Sequence, residues 1–317
     1  MSHTFCTLFY SNYLYRGLVL YQSLIDNYDD FTLYILSMDD VAYSLLDKMG
    51  LKNVELIRYE DFENDDLRRV KSERSIAEFC WTCTAPLCEY VMANNPDRPH
   101  VAYLDADMMF YRDPGPIYEE LGDDSVLIVP HRHSTQYKAW EETSGIYNVS
   151  VVIFRNDAIG KGCLEWWRER CLEACRLDPE QGLCGDQKYL DDWPTRFRNV
   201  VVLQHRGGGL APWNISSYQL TRRNGSVFVE SDELIFYHFH QLELAETSIL
   251  TKRPVVAAAG YSLTSQHRAF VYVPYMRQLR RAIQRVHRVV PDFAEGYAAL
   301  TPRDFARAFR KGNLMFA

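Results

Sequence analysis

Short apolar segments alternate with longer segments of helical spacing over residues 1–260. Apolar runs of four to eight residues between polar breaks are typical of strands buried on both faces, and apolar positions recurring every three or four residues are typical of helices. The predicted strands are 4–10, 31–37, 54–59, 100–104, 125–130, 147–154, 200–203 and 234–239. The predicted helices are 13–24, 40–49, 76–93, 163–175 and 185–193.

This alternation predicts an α/β fold with a mostly parallel central sheet flanked by helices. Residues 61–74 are highly charged and are predicted to be an exposed, mobile excursion. After residue 260 the pattern changes to basic amphipathic helices. The apolar positions of these helices are Met276, Leu279, Ile283, Val286 and Val290 in the first, and Phe305, Phe309 and Leu314 in the second. We therefore predict a domain at 1–260 and a C-terminal basic helical extension at 261–317.

Charge is unevenly distributed along the chain. The 317 residues carry a net charge of −7, which argues against a general nucleic-acid-binding protein, yet ten Lys or Arg and three Asp or Glu lie from Ser265 onward. The basic helices either pack on the domain with their charges in water or attach to an anionic membrane face or lipid-linked substrate. No apolar run approaches the ~18 residues of a membrane span, and no signal peptide is recognisable. We expect a cytoplasmic protein, with peripheral attachment at the inner membrane face as the second hypothesis.

The eight cysteines are too dilute for a secreted disulfide scaffold. Cys80 and Cys83 form a lone Cys-x-x-Cys pair inside a predicted helix, without a second pair at zinc spacing. Buried, reduced thiols are the preferred interpretation, and zinc or redox chemistry is the alternative.

Two carboxylates one residue apart end the predicted strand at 100–104. Asp105 and Asp107 follow the run His-Val-Ala-Tyr-Leu, and the chain resumes as Met-Met-Phe. Ligands collect at the carboxyl ends of strands in open parallel sheets. Side chains two residues apart in an extended segment project the same way, so both carboxylates can face one divalent cation. The alternative is that Asp105 caps the following turn and Asp107 is solvated.

Three further stretches follow Tyr-Leu-Asp-Ala-Asp at 103–107 along the chain. They are Tyr-Asn-Val-Ser-Val at 147–151, Gly-Asp-Gln at 185–187 and Tyr-His-Phe at 237–239. In this order, the four stretches resemble motifs of GT-A fold glycosyltransferases of family 8, the group of glycogenin and the bacterial lipooligosaccharide galactosyltransferases. The first is similar to the Asp-x-Asp metal motif of that family. The resemblance spans roughly residues 4–240 and implies a GT-A, Rossmann-like fold.

The resemblance implies sugar transfer from a nucleotide-diphosphate donor, with UDP expected, to a hydroxyl acceptor with retention, in surface-polysaccharide or glycolipid synthesis. It implies a metal bound by Asp105, Asp107 and His238, with His240 as the fallback; an ordinary core histidine is the alternative for His238. A cation there stabilises charge on the diphosphate leaving group as a Lewis acid. Mixed oxygen and imidazole ligands suit Mn²⁺, with Mg²⁺ the alternative.

The donor sugar and base have further candidate residues. By resemblance, Asp186 and Gln187 lie beneath the sugar and are the candidate catalytic residues; an N-cap is the alternative for Asp186. Asn148 is either a sugar contact or a strand-end turn residue. Trp213 and Asn214 follow a glycine run at 207–209 and are candidate residues for closing the site. The remaining candidate donor contacts are Asp105 and either Phe9 or Tyr10, stacked on the base.

The chain departs from the family pattern at two places. After the late His it reads His240-Gln241-Leu242, so the Lys expected to bind the diphosphate is missing there. The Arg expected before the Asp-x-Asp strand is also missing, and Lys71 and Arg74 are the nearest substitutes, with Arg74 retained as a candidate. The rivals are a non-catalytic carbohydrate- or partner-binding protein, a sugar nucleotidyltransferase and a metal-dependent phosphohydrolase. The expected partners are a nucleotide-sugar donor and a carbohydrate or glycolipid acceptor, not nucleic acid.

Overall fold

The computed structural model describes residues 2–28, 30–246, 254–256, 260–299 and 301–316. Contacts between Cα atoms divide the chain into two compact units. Unit 1 comprises Met1–Phe9, Asp30–Asp105 and Pro114–His205, and unit 2 comprises Tyr10–Asp29, Ala106–Asp113 and Arg206–Ala317. The division into 1–260 and 261–317 stays a prediction.

The strands are β1 (His3–Phe9), β2 (Phe31–Ser37), β3 (Val54–Arg58), β4 (His100–Leu104), β5 (Met108–Phe110), β6 (Val126–Pro130), β7 (Tyr147–Arg155), β8 (Leu177–Asp178), β9 (Leu183–Cys184), β10 (Val200–Val202), β11 (Leu220–Arg223), β12 (Ser226–Val229), β13 (Asp232–Glu233), β14 (Phe236–His238), β15 (Glu243–Glu246), β16 (Pro254–Val256), β17 (Tyr297–Ala299) and β18 (Leu314–Phe316).

The α-helices are α1 (Leu14–Asn27), α2 (Asp40–Met49), α3 (Tyr59–Phe62), α4 (Asp65–Lys71), α5 (Ile76–Asn94), α6 (Gly115–Leu121), α7 (Trp140–Ser144), α8 (Ala158–Glu173), α9 (Trp193–Arg196), α10 (Ser265–His267), α11 (Val273–Val289) and α12 (Pro302–Lys311). Short 3₁₀ segments are Ser11–Tyr13, Thr135–Tyr137, Pro179–Gln181, Gln187–Asp192 and Ile215–Ser217, and Arg268–Tyr272 is a π-helical turn.

Unit 1 is built on a sheet whose strands lie in the order β10-β6-β7-β4-β1-β2-β3. Strands β4, β1, β2 and β3 run parallel, and β10 runs parallel to β6. Strand β7 is antiparallel to both β4 and β6. The predicted mostly parallel α/β sheet is confirmed. The reversed direction of β7 leaves no trace in the sequence, because a strand buried on both faces is apolar whichever way it runs.

Polar residues set the starts of helices in unit 1. Asp39 accepts a hydrogen bond from the Ala42 N–H at 2.7 Å and caps α2. Ser75 and Glu78 form a reciprocal capping box at the start of α5. These caps satisfy backbone groups that a helix start otherwise leaves without partners.

Most of residues 61–74 are exposed, as predicted, but the segment contains a helix that the sequence did not indicate, and its mobility stays a prediction. The segment contains the end of α3 and all of α4. Asn64 caps α4, while Leu67 and Val70 are buried. The charge of the segment concealed this helix, because only one side of a short amphipathic helix needs to face the core.

Unit 2 holds β5 between a helix and a partner strand. The Phe110 N–H donates to the Ser23 hydroxyl at 2.9 Å, and the Asn27 side chain donates to the Phe110 carbonyl at 3.2 Å, so α1 is tied to β5. Strand β5 pairs antiparallel with β14, which places Met108 opposite His238. This pairing brings the residue just before β5 next to the end of β14.

The two basic helices predicted near the C-terminus are α11 and α12, and they differ in packing. The apolar side of α11 is buried in unit 2, and the Tyr15 hydroxyl lies 3.2 Å from Nε2 of His287. Phe309 on α12 is 70% exposed. Leu314 is not on this helix as predicted but in β18, because Gly312 ends α12 in the left-handed conformation. Within the described ranges, no helix is both long enough and apolar enough to cross a membrane.

All eight cysteines lie in described residues and are free thiols, and six of them are buried. Burial raises the pKa of Cys80 to about 12, with the charge of Asp186 adding to the effect. A thiol with a raised pKa is a poor nucleophile, so Cys80 behaves as a small core residue.

Candidate active site

A chain of hydrogen bonds in unit 1 fixes the backbone at the end of β4. The Asp105 N–H donates to the Ser150 carbonyl at 3.0 Å, and the Ser150 N–H donates to the Asn148 side-chain oxygen at 3.1 Å. The Asn148 amide nitrogen donates to the Val129 carbonyl at 3.3 Å, where the pairing of β6 with β7 shifts register. Asn148 is buried and engaged by the protein, so it positions Asp105. Its contact with a donor sugar stays a prediction.

Asp186 lies in unit 1 and is only 5% exposed. Burial raises the pKa of Asp186 to about 8, the charge of Asp105 adds to this, and a hydrogen bond with Thr84 opposes it. Two carboxylates in a poorly hydrated site resist simultaneous ionisation. Asp186 precedes the 3₁₀ helix Gln187–Asp192 without a capping hydrogen bond from its side chain. Asp186 thus occupies the N-cap position without a capping bond, and its contact with the sugar stays a prediction.

Gln187 is held against the short helix α7. Its amide nitrogen donates to the Ser144 carbonyl at 2.8 Å and lies 3.4 Å from Sγ of Cys184. The neighbouring Asp186 carbonyl accepts a hydrogen bond from the Trp167 indole at 2.9 Å. Both candidate catalytic residues are thus fixed by contacts to the surrounding protein, as a catalytic constellation requires.

Asp107 and His238 meet in unit 2. Nε2 of His238 lies 3.1 Å from Oδ1 of Asp107, and the Phe239 N–H donates to the Asp107 carbonyl at 2.8 Å. Burial alone would raise the pKa of Asp107, but His238, followed by His240 and Arg16, lowers it to about 2. Asp107 is therefore ionised over the whole physiological range.

The fallback ligand, His240, lies close to the same pair. Its ring centroid is 5.8 Å from that of His238. Burial and the nearby His238 lower the pKa of His240 to about 4, against the opposing effect of Asp107. His240 is therefore a neutral imidazole at pH 7.

Trp213 and Asn214 have different surroundings. The Trp213 ring packs edge-to-face on His238 and His240, with centroids 5.3 and 5.4 Å away. The Asn214 side chain accepts from the Ala211 N–H at 2.9 Å and donates to the Gly209 carbonyl at 2.8 Å. Trp213 thus lies beside the candidate ligands, whereas Asn214 holds the loop that carries it. The proposed closing role of both residues stays a prediction.

Asp105, Asp107 and His238 each offer one ligand atom, and these atoms lie within 4.8 Å of one another. The two carboxylates are kept close by the chain itself, because one residue separates them. Ligand atoms bound to one ion at ~2.1 Å lie no more than ~4.2 Å apart, so small side-chain rotations would complete the site. Two carboxylates and one imidazole form a donor set that Mn²⁺ or Mg²⁺ can use. These residues therefore fit a divalent cation.

The remaining candidates differ in exposure. Phe9 is 2% exposed and Tyr10 is half-buried, and the stacking of either ring on the donor base stays a prediction. The Arg74 guanidinium donates to the carbonyls of Leu172 and Glu173 at 3.4 and 3.3 Å, at the C-terminal end of α8. A cation is favourable at that helix end, which gives Arg74 a structural role. Its contact with the donor stays a prediction.

Sequence reasoning missed Arg16, a buried arginine of α1. Its guanidinium donates to the Leu242 carbonyl at 2.8 Å and to the Asn12 carbonyl at 3.3 Å, and its charge contributes to the lowered pKa of Asp107. The sequence feature that could have identified Arg16 is an arginine inside the apolar stripe of a helix. Such a residue is a candidate because a buried charge requires specific partners.

No family model matches the chain. Two uncharacterized proteins of Bacillus subtilis (strain 168) align with nearly all of it. YfnF is 31% identical over 306 residues, which are 94% of this chain and 98% of YfnF. YfnD is 30% identical over 296 residues, which are 92% of this chain and 94% of YfnD. The chain belongs to the family of YfnD and YfnF.

A solved structure shows which fold this member of the YfnD and YfnF family has. The galactosyltransferase LgtC, in complex with donor and acceptor sugar analogues, aligns with a TM-score of 0.53 over 96% of this chain and 99% of LgtC. The sequences are 11% identical, so the likeness concerns the fold. The predicted GT-A fold is confirmed.

Proposed function

We propose that the protein is a metal-dependent glycosyltransferase that moves a sugar from a UDP-linked donor to a hydroxyl acceptor with retention of configuration. The observation that carries the proposal is the group of Asp105, Asp107 and His238, with ligand atoms within 4.8 Å of one another. The GT-A fold supports the same reaction, because LgtC, whose structure aligns with this chain, is a galactosyltransferase. The proposed acceptor is a carbohydrate or glycolipid of surface-polysaccharide or glycolipid synthesis.

The three residues would bind Mn²⁺, with Mg²⁺ as the alternative. The bound cation would act as a Lewis acid on the charge that develops on the diphosphate leaving group. Asp105 and Asp107 supply the negative charge that attracts it, and His238 supplies an imidazole nitrogen. The Asp107–His238 contact keeps both side chains in place, so little reorganisation is needed for binding.

Asp186 and Gln187 would act on the sugar. Because the charge of Asp105 contributes to the raised pKa of Asp186, any neutralisation of Asp105 favours ionised Asp186. An ionised carboxylate stabilises the positive charge that develops at the anomeric carbon during glycosyl transfer. The amide of Gln187, fixed by Ser144, would contact the sugar itself.

Titration calorimetry with UDP, and hydrolysis of UDP-sugars without acceptor, would test the proposal. We expect UDP to bind only with Mn²⁺ and hydrolysis to stop in EDTA. Asp105→Ala and Asp107→Ala should lose UDP binding and UDP-sugar hydrolysis while melting as cooperatively as wild type. Asp97→Ala, at an exposed carboxylate, should keep UDP binding and hydrolysis. Hydrolysis undiminished by EDTA would refute the metal role. A protein that binds no nucleotide would favour the non-catalytic rival.

We also propose that the basic extension 261–317 gives the protein peripheral contact with the inner face of an anionic membrane, where a glycolipid acceptor would lie. Support comes from α12, which exposes Phe309 together with basic side chains. The basic side chains are Arg303, Arg307, Arg310 and Lys311. An apolar residue among basic ones is typical of helices that lie in a membrane interface.

A further inference from the structure

Exposed Trp140 and half-buried Tyr137 form an aromatic pair on a segment of unit 1 that the candidate active site does not include. Trp140 is 41% exposed, and its ring centroid lies 4.8 Å from that of Tyr137 with the planes inclined by 36°. The His133 ring lies edge-to-face to Trp140, with ring centroids 6.5 Å apart. An exposed indole packed on a second ring offers a rigid, flat apolar surface that a ligand can contact.

Three hydrogen bonds attach this segment to the short helix that begins with Gln187. The Gln187 amide donates to the Ser144 carbonyl at 2.8 Å. Lys188 Nζ donates to the Glu141 carbonyl at 3.1 Å, and the Ile146 N–H donates to the Asp191 carboxylate at 2.7 Å. The aromatic pair therefore has a fixed position with respect to Gln187.

Trp140 lies on the same short helix as the residue that Gln187 contacts. Trp140 lies four residues before Ser144 in α7, which corresponds to a rise of ~6 Å along the helix. The Ser144 carbonyl accepts the hydrogen bond from Gln187. The backbone of Trp140 is thus about one helical turn from the point at which Gln187 is attached.

Polar groups border the aromatic pair and favour a sugar over a lipid chain or an apolar peptide. The Tyr137 N–H donates to the Ser134 carbonyl at 2.8 Å, which fixes the backbone that carries the pair. Lys138 and Glu141 form an ion pair at 2.7 Å on the same segment. A pyranose has apolar C–H faces and a hydroxyl rim, which matches an aromatic surface with a polar border.

We infer that Tyr137 and Trp140 form a platform that binds a pyranose ring of a carbohydrate acceptor. The acceptor role rests on the proposed function; the binding of a sugar ring does not. The C–H face of the ring would pack on the Trp140 indole, and Lys138, which follows Tyr137 in the sequence and whose side chain is 67% exposed, would be available to its hydroxyls.

Saturation-transfer NMR with lactose, maltose and cellobiose as probes would test the platform without any nucleotide. We expect at least one disaccharide to receive saturation at its C–H protons. Trp140→Ala should weaken that binding about 10-fold, the equivalent of ~1.4 kcal/mol, and Trp140→Phe should weaken it less. Ile76→Ala, at an exposed apolar position elsewhere in unit 1, is the matched control and should bind as wild type does.

Failure of the platform and failure of the proposed function give different results. No binding of any probe by a cooperatively melting wild-type protein, or equal binding by wild type and Trp140→Ala, would overturn the platform even if UDP-sugars are hydrolysed. Disaccharide binding that Trp140→Ala weakens, in a protein that binds no UDP, would keep the platform and remove its role in transfer. Trp140→Ala should leave Mn²⁺-dependent binding of UDP unchanged.

Discussion

Nε2 of His238 lies 3.1 Å from Oδ1 of Asp107, in contact across the paired strands of unit 2. The pairing of β5 with β14 sets this contact, because Met108 lies directly opposite His238. The low pKa of Asp107, about 2, means that this carboxylate has no proton to lose when a cation binds. Above about pH 4, protonation of Asp107 should therefore not limit the affinity of the site for a metal ion.

Asp107→Asn removes the charge while it preserves the size of the side chain. We expect metal-dependent hydrolysis of a UDP-sugar to fall by at least ~100-fold, because a lost ligand weakens charge stabilisation in the transition state. Steady-state rates at saturating Mn²⁺ measure the effect. Asp97→Asn, at an exposed carboxylate, should keep the wild-type rate. A rate within a few-fold of wild type in Asp107→Asn would contradict the assignment.

Asp186→Asn should change how stability depends on pH. The pKa of Asp186 is raised in the folded state to about 8 from 3.8, so its contribution to stability is fully present below 3.8 and is lost as pH rises toward about 8. The Asn variant cannot ionise, so it should be about as stable as wild type near pH 4 and more stable by a few kcal/mol near pH 8.

Urea unfolding in EDTA at several pH values measures this difference. Asp97→Asn is the control, and its stability should follow the wild-type pH profile. If the Asp186→Asn profile also parallels that of wild type, Asp186 is not the buried, reluctantly ionised group that the structure indicates. Activity should fall in the same variant, which would show a residue retained for function at a cost in stability.

The apolar pattern predicted the sheet closely, and for β2 it gave the observed bounds, 31–37. Strands buried on both faces produce long apolar runs, which survive in the sequence whatever their neighbours are. The motif of Asp105 and Asp107 was visible for the same reason, since both residues end such a run. Their third partner, His238, came from a family resemblance and not from spacing.

Tertiary contacts determine the surroundings of several candidate residues, which the sequence does not encode. Asn148 and Asn214 are of a residue type that often binds ligands, but in the structure both side-chain amides donate to nearby backbone carbonyls. Arg16 approaches Asp107 because the chain returns at Leu242, a contact that no local pattern encodes. Exposure of Trp140 likewise depends on how its helix is attached to the segment after Gln187.

Phe309→Ser should reduce binding to anionic membranes. Wild-type protein should sediment with phosphatidylglycerol-containing vesicles and much less with phosphatidylcholine vesicles, and added salt should weaken the association, since basic side chains supply part of the attraction. Removing the exposed ring should cost about 10-fold in affinity, from the lost burial of apolar surface. Ile76→Ser, an exposed apolar position in unit 1, should bind as wild type does. Equal binding to both kinds of vesicle, or no effect of Phe309→Ser, would remove the membrane proposal.

Gly145→Ala tests the attachment of the aromatic segment. Gly145 has φ of +96°, and a Cβ there would lie 2.9 Å from Oδ1 of Asp191, the atom that accepts the Ile146 N–H. Both the backbone conformation and this contact oppose a side chain, so we expect a loss of ~1–2 kcal/mol in the free energy of unfolding. Disaccharide binding at Trp140 should weaken too, because α7 would move away from Asp191.

Gly162→Ala is the matched control, since that glycine lies inside α8 and its added Cβ meets nothing within 4 Å. Alanine is favoured over glycine in a helix by ~0.8–1.0 kcal/mol, so this variant should be slightly more stable than wild type and bind disaccharides unchanged. Denaturant unfolding of both variants measures the change in the free energy of unfolding. If this free energy falls in Gly145→Ala and rises in Gly162→Ala, the loss at Gly145 is due to the Asp191 contact and the positive φ. A gain in stability at both positions would mean that the segment is not held against Asp191, and the fixed distance between Trp140 and Gln187 would lose its basis.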